Sequence, residues 1–328
     1  MRGFFGIVTL AACLVAGAHE LLRAAGQAPA WAYNVPDPPP AGAPAAPPAP
    51  DATPKKLPGS DAAFTLAQIR DRFGPADWYP GDHPAMPEIV AKGRRPDVLA
   101  CALCHYPNGR GRPENAAVSA LPVEYFIQTM NDFKSGVRKS AEPRKANTNT
   151  MITIAKGMSD DDIRAAAVYF VAMPWTPWIK VVEAETVPKT VNEGGMFVRL
   201  EGAAAGTEPL AQRIVEMPEN TEQTQLRNPR SGFVAYVPVG SIKKGETLAT
   251  TGGGRTVECR VCHGPGLKGL GPVPGLAGRS PSYMVRQMYD MQQGARKGVW
   301  ADLMRPVLAK LTNEDLVAIA AYSASLAP

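Results

Sequence analysis

Apolar residues recur at helical spacing in two separate parts of the chain. Within residues 125–133 and 283–291, apolar side chains fall three and four positions apart, which places them on one face of an α-helix. Residues 163–171 and 316–325 are rich in alanine, and each run follows a Ser/Thr-capped acidic stretch of the kind found at helix N-termini. The pattern therefore predicts a mainly α-helical protein with two similarly organised regions.

The stretch between these regions, residues 176–240, has a different pattern. Residues 179–182 and 233–237 are rich in β-branched and aromatic side chains and predict strands, and residues 213–216 predict another. Prolines and scattered charges interrupt the rest. We expect a long, mostly irregular connector with short β-strands that packs the two helical regions together.

The two helical regions follow one sequence pattern. Met151 precedes Tyr169 by eighteen residues, and Met304 precedes Tyr322 by the same eighteen. The loop before these methionines is five residues longer in the first copy. Two copies of one domain account for this register. The other matched pairs follow without a gap: Tyr125 with Tyr283, Met130 with Met288, Asp132 with Asp290, Gly136 with Gly294, and Arg138 with Arg296.

An apolar run opens the chain at residues 4–18. Its length of about 15 residues is short of the roughly 20 that span a bilayer, and it has the character of a secretory signal peptide. An A-x-A sequence at residues 30–32 predicts the cleavage site, so that residues 1–32 form the signal peptide, with residues 16–18 as an earlier alternative. A lipobox-like sequence ends at Cys13, but the apolar run continues past it.

Composition divides the rest of the chain into four parts. Residues 33–60 are dominated by proline and alanine and predict a disordered spacer. The first helical domain follows at 61–175, the connector at 176–240 and the second helical domain at 241–328. No other stretch is apolar enough to span a membrane, so we expect a mature form without a transmembrane span. The net charge of +5 comes without a dense Lys/Arg stripe, which argues against a nucleic-acid partner.

Each helical copy contains one C-x-x-C-H sequence, the attachment signature of a c-type haem. Two thiols three positions apart can each form a thioether to one haem vinyl group, and the adjacent histidine supplies the proximal iron ligand. The chain has only four histidines, and two of them stand directly after a C-x-x-C. Two covalently bound haem c groups are therefore predicted. Their residues are Cys101, Cys104 and His105 in the first copy, and Cys259, Cys262 and His263 in the second.

A redox-active cysteine pair, a zinc site and a structural disulfide fit these cysteines less well. A thioredoxin-like C-x-x-C needs a βαβ setting and no second copy. A zinc ribbon spaces its cysteine pairs about 15–20 residues apart, whereas these pairs lie 155 residues apart. Disulfides across such short loops would leave the histidines without a role. The haem interpretation also agrees with export, since bacteria attach haem c outside the cytoplasmic membrane, and it predicts a periplasmic protein.

The sixth iron ligand decides between electron transfer and chemistry at an open iron. His83 is the spare histidine of the mature chain, and the second copy has no counterpart to it. Methionine is therefore the expected ligand. Met130 and Met288 fall within amphipathic helices, where methionine usually fills the core. Met151 and Met304 follow a polar loop that is expected to fold back over the haem, so these two are the predicted ligands.

The order of these features resembles class I cytochromes c: a C-x-x-C-H, an aromatic helix ending in Gly-x-Arg, then a methionine before a capped acidic helix. The tandem arrangement looks like the dihaem cytochrome c4-like group, over residues 86–174 and 241–328. The resemblance implies two helical domains, each around one covalent haem. It also implies a proline carbonyl, here that of Pro274, which accepts a hydrogen bond from the histidine Nδ1–H. The first copy departs from this pattern, because Tyr106 follows its histidine and Ala116 stands in register with Pro274.

The predicted function is the carriage of single electrons, not an enzymatic reaction. His/Met ligation saturates the iron, and a six-coordinate iron changes its geometry little on reduction. Expected partners are redox proteins: a dehydrogenase, a cytochrome bc-type complex or a terminal oxidase. The basic loop at residues 134–145 is a candidate surface for steering an acidic partner. Two alternatives stay open, namely a dihaem enzyme of the peroxidase-like or thiosulfate-oxidising kind, and an electron-transfer subunit of a dehydrogenase complex.

Overall fold

The computed structural model describes residues 28–35 and 51–328. Two helical units, each with its own buried core, are joined by a connector that contains β-strands. Thirteen α-helices lie in the described residues, which confirms the mainly α-helical class. Within these two ranges, no helix combines the length and the apolar character needed to cross a bilayer.

The elements are numbered here in chain order. The helices are α1 (Ala30–Tyr33), α2 (Leu66–Ile69), α3 (Glu88–Ala91), α4 (Cys101–His105), α5 (Val123–Lys134), α6 (Ala146–Gly157), α7 (Asp160–Val171), α8 (Thr221–Gln225), α9 (Ser241–Thr251), α10 (Arg260–His263), α11 (Pro281–Gln292), α12 (Val299–Leu308) and α13 (Asn313–Ser325). The strands are β1 (Ile179–Glu183), β2 (Thr186–Pro188), β3 (Thr190–Glu193), β4 (Met196–Arg199), β5 (Thr207–Pro209), β6 (Val215–Pro218) and β7 (Phe233–Val237).

The first unit is built around helices α5 and α7. Phe126 of α5 stacks on Phe170 of α7 with ring centroids 6.2 Å apart, and both side chains are buried. Helix α7 begins at a capping box, in which Ser159 Oγ accepts a hydrogen bond from Asp162 N and the Asp162 carboxylate accepts one from Ser159 N. The acidic N-terminus that the sequence predicts is therefore confirmed.

The second unit repeats this arrangement around helices α11 and α13. Helix α13 begins at a second capping box, formed by Thr312 and Asp315. Helix α9 crosses α13 at Gly245, where an added Cβ atom would lie 1.9 Å from the carbonyl oxygen of Ala318. Because any larger residue would collide with this backbone, glycine at this position permits the close packing of the two helices.

The residues around the two candidate methionines are helical. Met151 lies in the middle of α6, and Met304 lies in α12. The predicted polar loop before Met151 is wrong, because the polar run at residues 147–150 belongs to a helix whose other face is buried at Ile154 and Ala155. Tertiary packing thus outweighs the weak helix propensity of asparagine and threonine.

The connector carries more regular structure than the sequence predicts. Strand β7 pairs with β1 in parallel and with β6 in antiparallel orientation, which gives a three-stranded sheet in the order β1-β7-β6. Strands β2 and β5 form one further antiparallel pair, and β3 and β4 form another. Phe233, at one end of β7, packs against Trp178, and Val237, at the other end, joins the core of the second unit. The prediction of a mostly irregular connector is wrong, because these short strands gain their apolar contacts from elements distant in sequence.

The described segment ahead of the first unit packs against this connector. Leu57 and Trp78 share an apolar cluster with Leu226. Lys55 pairs with Phe64 through two backbone hydrogen bonds. The region expected to be a spacer, residues 33–60, therefore contains folded residues from Lys55 onward, and its residues 36–50 lie outside the described ranges.

The two units meet through the loops that follow α5 and α11. Arg138 and Arg296 face each other in an antiparallel bridge. Lys139 N donates to the Ala295 carbonyl at 2.9 Å, and Lys297 N donates to the carbonyl of Val137 at 3.0 Å. The backbone contact is therefore nearly symmetric, as two copies of one domain allow.

The arginine side chains cross this contact in opposite directions. Arg138 Nη2 donates to the Tyr283 hydroxyl at 3.1 Å, and Arg296 Nη2 donates to the Tyr125 hydroxyl at 2.7 Å. Gln287 Oε1 accepts from both arginines, at 2.8 and 2.9 Å. Each copy thus binds the tyrosine of the other with its own arginine. Two of the pairs that revealed the sequence repeat, the tyrosines and the arginines, therefore lie at the interface.

Helix α1 lies at the same interface, although it is far away in sequence. The Tyr33 hydroxyl donates to Asp290 Oδ1 at 2.7 Å, and Arg286 Nη1 donates to the Ala32 carbonyl at 2.7 Å. Ala32 and Tyr33 are 0% and 1% exposed. Burial and the neighbouring Asp290 raise the pKa of Tyr33, so its hydroxyl remains a proton donor.

The packing of α1 predicts that export processing leaves this helix on the mature protein. The expected signal peptide, residues 1–32, lies mostly outside the described ranges, and cleavage at its end would remove the Ala32 carbonyl that Arg286 binds. We expect cleavage upstream of Ala28, as at the alternative site at residues 16–18. The intact mass of the exported protein checks this, and a chain that begins at Tyr33 would contradict it.

Tyr125→Phe and Tyr283→Phe form a matched pair of probes of the interface. Each variant removes a hydroxyl that accepts a hydrogen bond from a buried arginine, so each should lower the free energy of unfolding by about 1–3 kcal/mol. Chemical denaturation of the haem-loaded protein measures this loss. Tyr236→Phe in the connector is the control and should change the free energy of unfolding little. A Tyr125→Phe or Tyr283→Phe variant as stable as the parent would show that its hydrogen bond contributes nothing.

Candidate functional site

The first C-x-x-C-H sequence forms helix α4, and its histidine is held through ring nitrogen Nδ1. His105 Nδ1 lies 2.8 Å from the carbonyl oxygen of Ala116, and the residue is 8% exposed. Because a carbonyl can only accept, Nδ1 carries the proton and Nε2 keeps its lone pair. Burial lowers the pKa of His105, so the ring is neutral. A neutral imidazole with a fixed Nδ1–H is the form that binds iron.

The second C-x-x-C-H sequence has the same histidine geometry. His263 Nδ1 lies 2.8 Å from the carbonyl oxygen of Pro274, and burial lowers the pKa of this ring as well. The hydrogen bond expected from Pro274 is confirmed. In the first copy Ala116 takes the same role, since the contact uses a backbone carbonyl that every residue possesses. The departure of the first copy from the family pattern therefore leaves this hydrogen bond unchanged.

Burial disfavours the ionised form of the Cys101 and Cys259 thiols. Burial raises the pKa of Cys101 to about 12 and the pKa of Cys259 to about 11. Neither C-x-x-C pair forms a disulfide. In the part of the chain that the structure describes, no group of three or more His, Cys, Asp or Glu side chains is suited to hold a metal ion. The described residues therefore offer no cluster of ligands for a zinc ribbon, which needs four.

A cavity of about 470 Å³ lies beside the first motif. Cys101, Cys104 and His105 contribute to its wall. This volume falls within the range of roughly 300–1,000 Å³ that is usual for cofactor sites. Volume, thiols and imidazole together fit a covalently attached haem. The apolar part of the lining comes from helices and from the loops beside them, and includes Leu99, Val118, Phe126, Phe133, Ile154 and Phe170.

Three methionines line this cavity together with His105. Met151, the predicted ligand, is half-buried, whereas Met130 and Met158 are 5% and 3% exposed. The fold therefore brings Met151 to the same cavity as the first motif, as the prediction requires. It also brings Met130 there, which the sequence assigns to core packing. Met158 was missed because it stands directly before the cap of α7 and has no methionine in register in the second copy.

One end of the cavity is polar and is formed by both units. Arg138 and Lys145 of the first unit and Arg286 of the second line it, and all three are buried. Among the described residues, neither a hydrogen bond nor an ion pair engages the Lys145 ammonium. Burial, and secondarily Arg286, lower the pKa of Lys145 to about 7. Because an unpaired buried ammonium is unfavourable, the surroundings of Lys145 suit an anionic group such as a haem propionate. Arg138 and Arg286 already donate hydrogen bonds within the protein.

The basic loop at residues 134–145 is not the docking surface that the sequence predicts. Arg138 and Lys145 are buried at the interface between the units. Arg144 donates to both carboxylate oxygens of Glu142, at 2.9 and 2.7 Å. Most cationic side chains of this loop are therefore buried or paired within the protein. The run of cations in the sequence did not indicate a solvent-exposed surface.

The candidate methionine of the second unit, like Met151, lies within a helix. Met304 in α12 and Met288 in α11 are both half-buried and pack against the core of the second unit. The equivalence of Met304 and Met151 thus extends from sequence register to helical position and burial. The ligand assignment itself stays a prediction.

His83 takes no part in the cavity. Its Nε2 lies 3.1 Å from Asp77 Oδ2, and its Nδ1 lies 2.9 Å from the carbonyl oxygen of Pro84. The ring packs edge-on against Tyr169 with centroids 6.3 Å apart. Because both ring nitrogens are engaged, the structure does not favour His83 as an iron ligand.

Several known proteins are similar to this chain. A cytochrome c4 of Pseudomonas aeruginosa is 36% identical over 229 residues, which cover 69% of this chain and 83% of that protein. A thiosulfate dehydrogenase electron acceptor of Stutzerimonas stutzeri is 25% identical over 238 residues, which cover 71% of this chain and 82% of that protein. The crystal structure of reduced recombinant cytochrome c4 from Pseudomonas stutzeri covers 69% of this chain and 93% of its own, with 21% identity and a TM-score of 0.45. No protein-family model matches the chain.

Proposed function

Because the chain belongs to the cytochrome c4 family of dihaem class I cytochromes c, we propose that it carries single electrons between redox proteins through two covalently bound, His/Met-ligated haem c groups. The observation that carries the proposal is the cavity beside the first motif. It combines the Cys101 and Cys104 thiols, the His105 imidazole and the Met151 thioether in one largely apolar space.

Each residue type has one role in this proposal. The cysteines would hold the haem through thioethers, and the histidine and the methionine would be the ligands of its iron. The cysteines are Cys101 and Cys104 for the first haem and Cys259 and Cys262 for the second. The axial ligands are His105 and Met151 for the first haem and His263 and Met304 for the second.

The bound haem supplies reversible one-electron chemistry, and the protein sets the conditions for it. Phe126, Phe133 and Phe170 exclude water from the first cavity, which favours the less charged, reduced state. The Ala116 carbonyl holds the His105 ring in one orientation and keeps the proton on Nδ1. Methionine sulfur raises the reduction potential relative to a second nitrogen ligand.

The contact between the units supports an internal relay. Tyr283, Arg286 and Gln287 of the second unit line the cavity of the first, so the polar end of this cavity opens at the interface. The propionates of the first haem would therefore meet cations from both units. With both haems bound, this contact would let electrons pass between them within one molecule.

A dehydrogenase is the partner that the comparisons favour. The relative named as a thiosulfate dehydrogenase electron acceptor aligns with 71% of this chain. Acceptance of electrons from a dehydrogenase of sulfur compounds is therefore the second candidate function. Mixing the oxidised protein with a purified thiosulfate dehydrogenase and thiosulfate tests it, and an absence of haem reduction would reject it.

An enzymatic role has less support. A peroxidase-like or thiosulfate-oxidising reaction needs an open iron coordination site or an unusual iron ligand such as a cysteine. In the described ranges every cysteine belongs to one of the two motifs, so none is left over to be such a ligand. His83 is engaged with Asp77 and Pro84.

A location in the periplasm agrees with the apolar run at residues 4–18 and with haem attachment outside the cytoplasm.

Substitution of the candidate methionines tests the axial ligands. Met151→Leu and Met304→Leu should each remove about half of the weak long-wavelength absorption band of ferric, methionine-ligated haem, because each removes one of two sulfur–iron bonds. Met130→Leu is the matched control, since this methionine lines the same cavity from α5, and it should keep the full band. Loss of the band in Met130→Leu and its retention in Met151→Leu would transfer the assignment to Met130.

Lys145→Gln tests the polar end of the first cavity. Removal of a buried cation beside the haem disfavours the added electron, so one of the two reduction potentials should fall by on the order of tens of millivolts. Lys156→Gln removes the same charge from an exposed position of α6. It should change the reduction potentials little, because water and salt screen the charge of an exposed lysine. A redox titration in which both variants match the parent would contradict a role of Lys145 at the haem.

A further inference from the structure

Two backbone carbonyls fix the two histidine rings, and both belong to loops. The Ala116 carbonyl binds His105 and the Pro274 carbonyl binds His263. Each acceptor stands eleven residues after its histidine. We call residues 116–119 and 274–279 the two acceptor loops. Whatever holds the acceptor loops in place therefore also holds the histidine rings.

One guanidinium binds both acceptor loops. Arg279 Nε donates to the Gly275 carbonyl at 2.7 Å, within the loop of its own unit. Arg279 Nη1 donates to the Ala117 carbonyl at 3.0 Å, and Nη2 donates to the Ser119 carbonyl at 3.1 Å, in the loop of the other unit. Gly275 and Ala117 each stand directly after a histidine acceptor. The side chain therefore joins the neighbours of both acceptors.

An aromatic ring closes this contact. The Arg279 guanidinium lies 4.5 Å from the ring centroid of Trp175, at the end of the first unit, and such a ring face attracts a cation. The Trp175 indole nitrogen donates to the Ala277 carbonyl at 2.8 Å, inside the second acceptor loop. Arg279 is 7% exposed. Carbonyls at its edge and the indole at its face thus hold the guanidinium in one orientation.

Arg279 carries a buried charge without a carboxylate partner. Among the described residues, its hydrogen bonds go to neutral backbone carbonyls, and no Asp or Glu forms an ion pair with it. Burial lowers the pKa of Arg279 to about 10, so the side chain is still charged at neutral pH. Burying a charge that no opposite charge compensates lowers stability.

The first copy indicates that such a domain can form without this arginine. In the gap-free register that pairs Tyr125 with Tyr283, the counterpart of Arg279 is Leu121. Leu121 is half-buried and packs against the core of the first unit. An apolar residue is therefore compatible with this position of the fold. The unfavourable burial of Arg279 points to a role beyond the folding of its own unit.

The contact acts on the most adaptable residue of the second acceptor loop. Glycine has the widest choice of backbone angles, yet an added Cβ atom at Gly275 would lie 2.7 Å from the carbonyl oxygen of Lys268. A stiffer residue therefore does not fit there. Arg279 supplies the restraint from outside by binding the Gly275 carbonyl. Because peptide units are planar, this also limits the rotation of the adjoining unit that contains the Pro274 carbonyl.

We infer that Arg279 is a positioning residue shared by both haem sites: it holds the two acceptor loops so that His105 and His263 keep their orientation, and its charge favours the reduced state of both haems. The inference rests on the proposed dihaem function. The hydrogen bond to a ligating histidine sets the orientation and the basicity of its ring, and a nearby cation stabilises an added electron. One side chain thus links the properties of two redox centres.

Arg279→Leu, which introduces the residue type of the first copy, tests both effects in the haem-loaded protein. A redox titration followed by absorbance should show that both potentials fall. At a fixed potential, the ratio of reduced to oxidised haem should drop about threefold or more at each haem, because a buried charge is lost. The electron paramagnetic resonance spectrum of the ferric protein should show shifts of both low-spin signals, since these depend on the orientation of the imidazole ring.

Arg279→Lys separates the effect of the charge from that of the geometry. Lysine keeps the charge, but its ammonium cannot reproduce the planar fork that serves three carbonyls. Both low-spin signals should therefore shift, while both potentials stay closer to the parent values than in Arg279→Leu. Potentials that fall as far in Arg279→Lys as in Arg279→Leu would contradict the role of the charge.

Trp78→Phe is the control for a general loss of stability. It removes a buried hydrogen bond to the Leu226 carbonyl and lies outside both acceptor loops. It should lower the free energy of unfolding and leave the potentials and the low-spin signals unchanged. If Trp78→Phe shifts the same signals as the Arg279 variants, their effect is a general one, and the inference is overturned.

The number of haems that respond decides the outcome. Shifts at both haems in Arg279→Leu support the inference, whereas a shift at one haem alone, or at neither, overturns it. If the Arg279 variants lose their haems, Trp175→Phe replaces them. This change removes the indole donor to Ala277 and should shift both low-spin signals to a smaller extent, and unaltered signals would overturn the inference.

The parent protein separates the inference from the proposed function. If it does not titrate as two reversible one-electron haems, the proposed function fails. If it does, and the Arg279 variants match it in potentials and in low-spin signals, the shared positioning role alone is rejected.

Discussion

The reciprocal contact of Arg138 and Arg296 is the constraint on which the arrangement of the molecule depends. Burying a guanidinium is unfavourable unless its donors are bound, and here each arginine obtains its tyrosine partner from the other unit. Neither unit can satisfy its own arginine in this way. The interface must therefore form in one orientation, and that orientation brings Arg286 to the cavity of the first unit.

The segments outside the two copies make two similar sites unequal. Helix α1 fills the interface beside Asp290, and the connector covers the first motif through Arg227. The second motif receives no comparable cover within the described residues, and Val261 faces solvent. The histidine contacts are nevertheless identical in kind, since both rings bind a backbone carbonyl at 2.8 Å. Local geometry is thus preserved while access to solvent differs.

The features that depend on local sequence could be predicted, and those that depend on distant contacts could not. Helical spacing located α5 and α11, and the resemblance to class I cytochromes c indicated the Pro274 carbonyl. The helix around Met151 escaped prediction, because its polar first turn is stabilised by the burial of Ile154 on its other face. The burial of Lys145 could not be predicted either. A lysine that lies in an enclosed cavity and one that is solvated have the same sequence signature. The repeat paired Tyr125 with Tyr283, but only the fold reveals that each binds the opposite copy.

The position of helix α1 constrains the order in which the chain can assemble. Tyr33 and its partner Asp290 are 257 positions apart. The first folded residues to emerge during synthesis and export therefore have no place to bind until nearly the whole polypeptide has followed. An early part of the chain is therefore held in place by one of its last helices, α11, which makes the contact of Tyr33 a late one in folding.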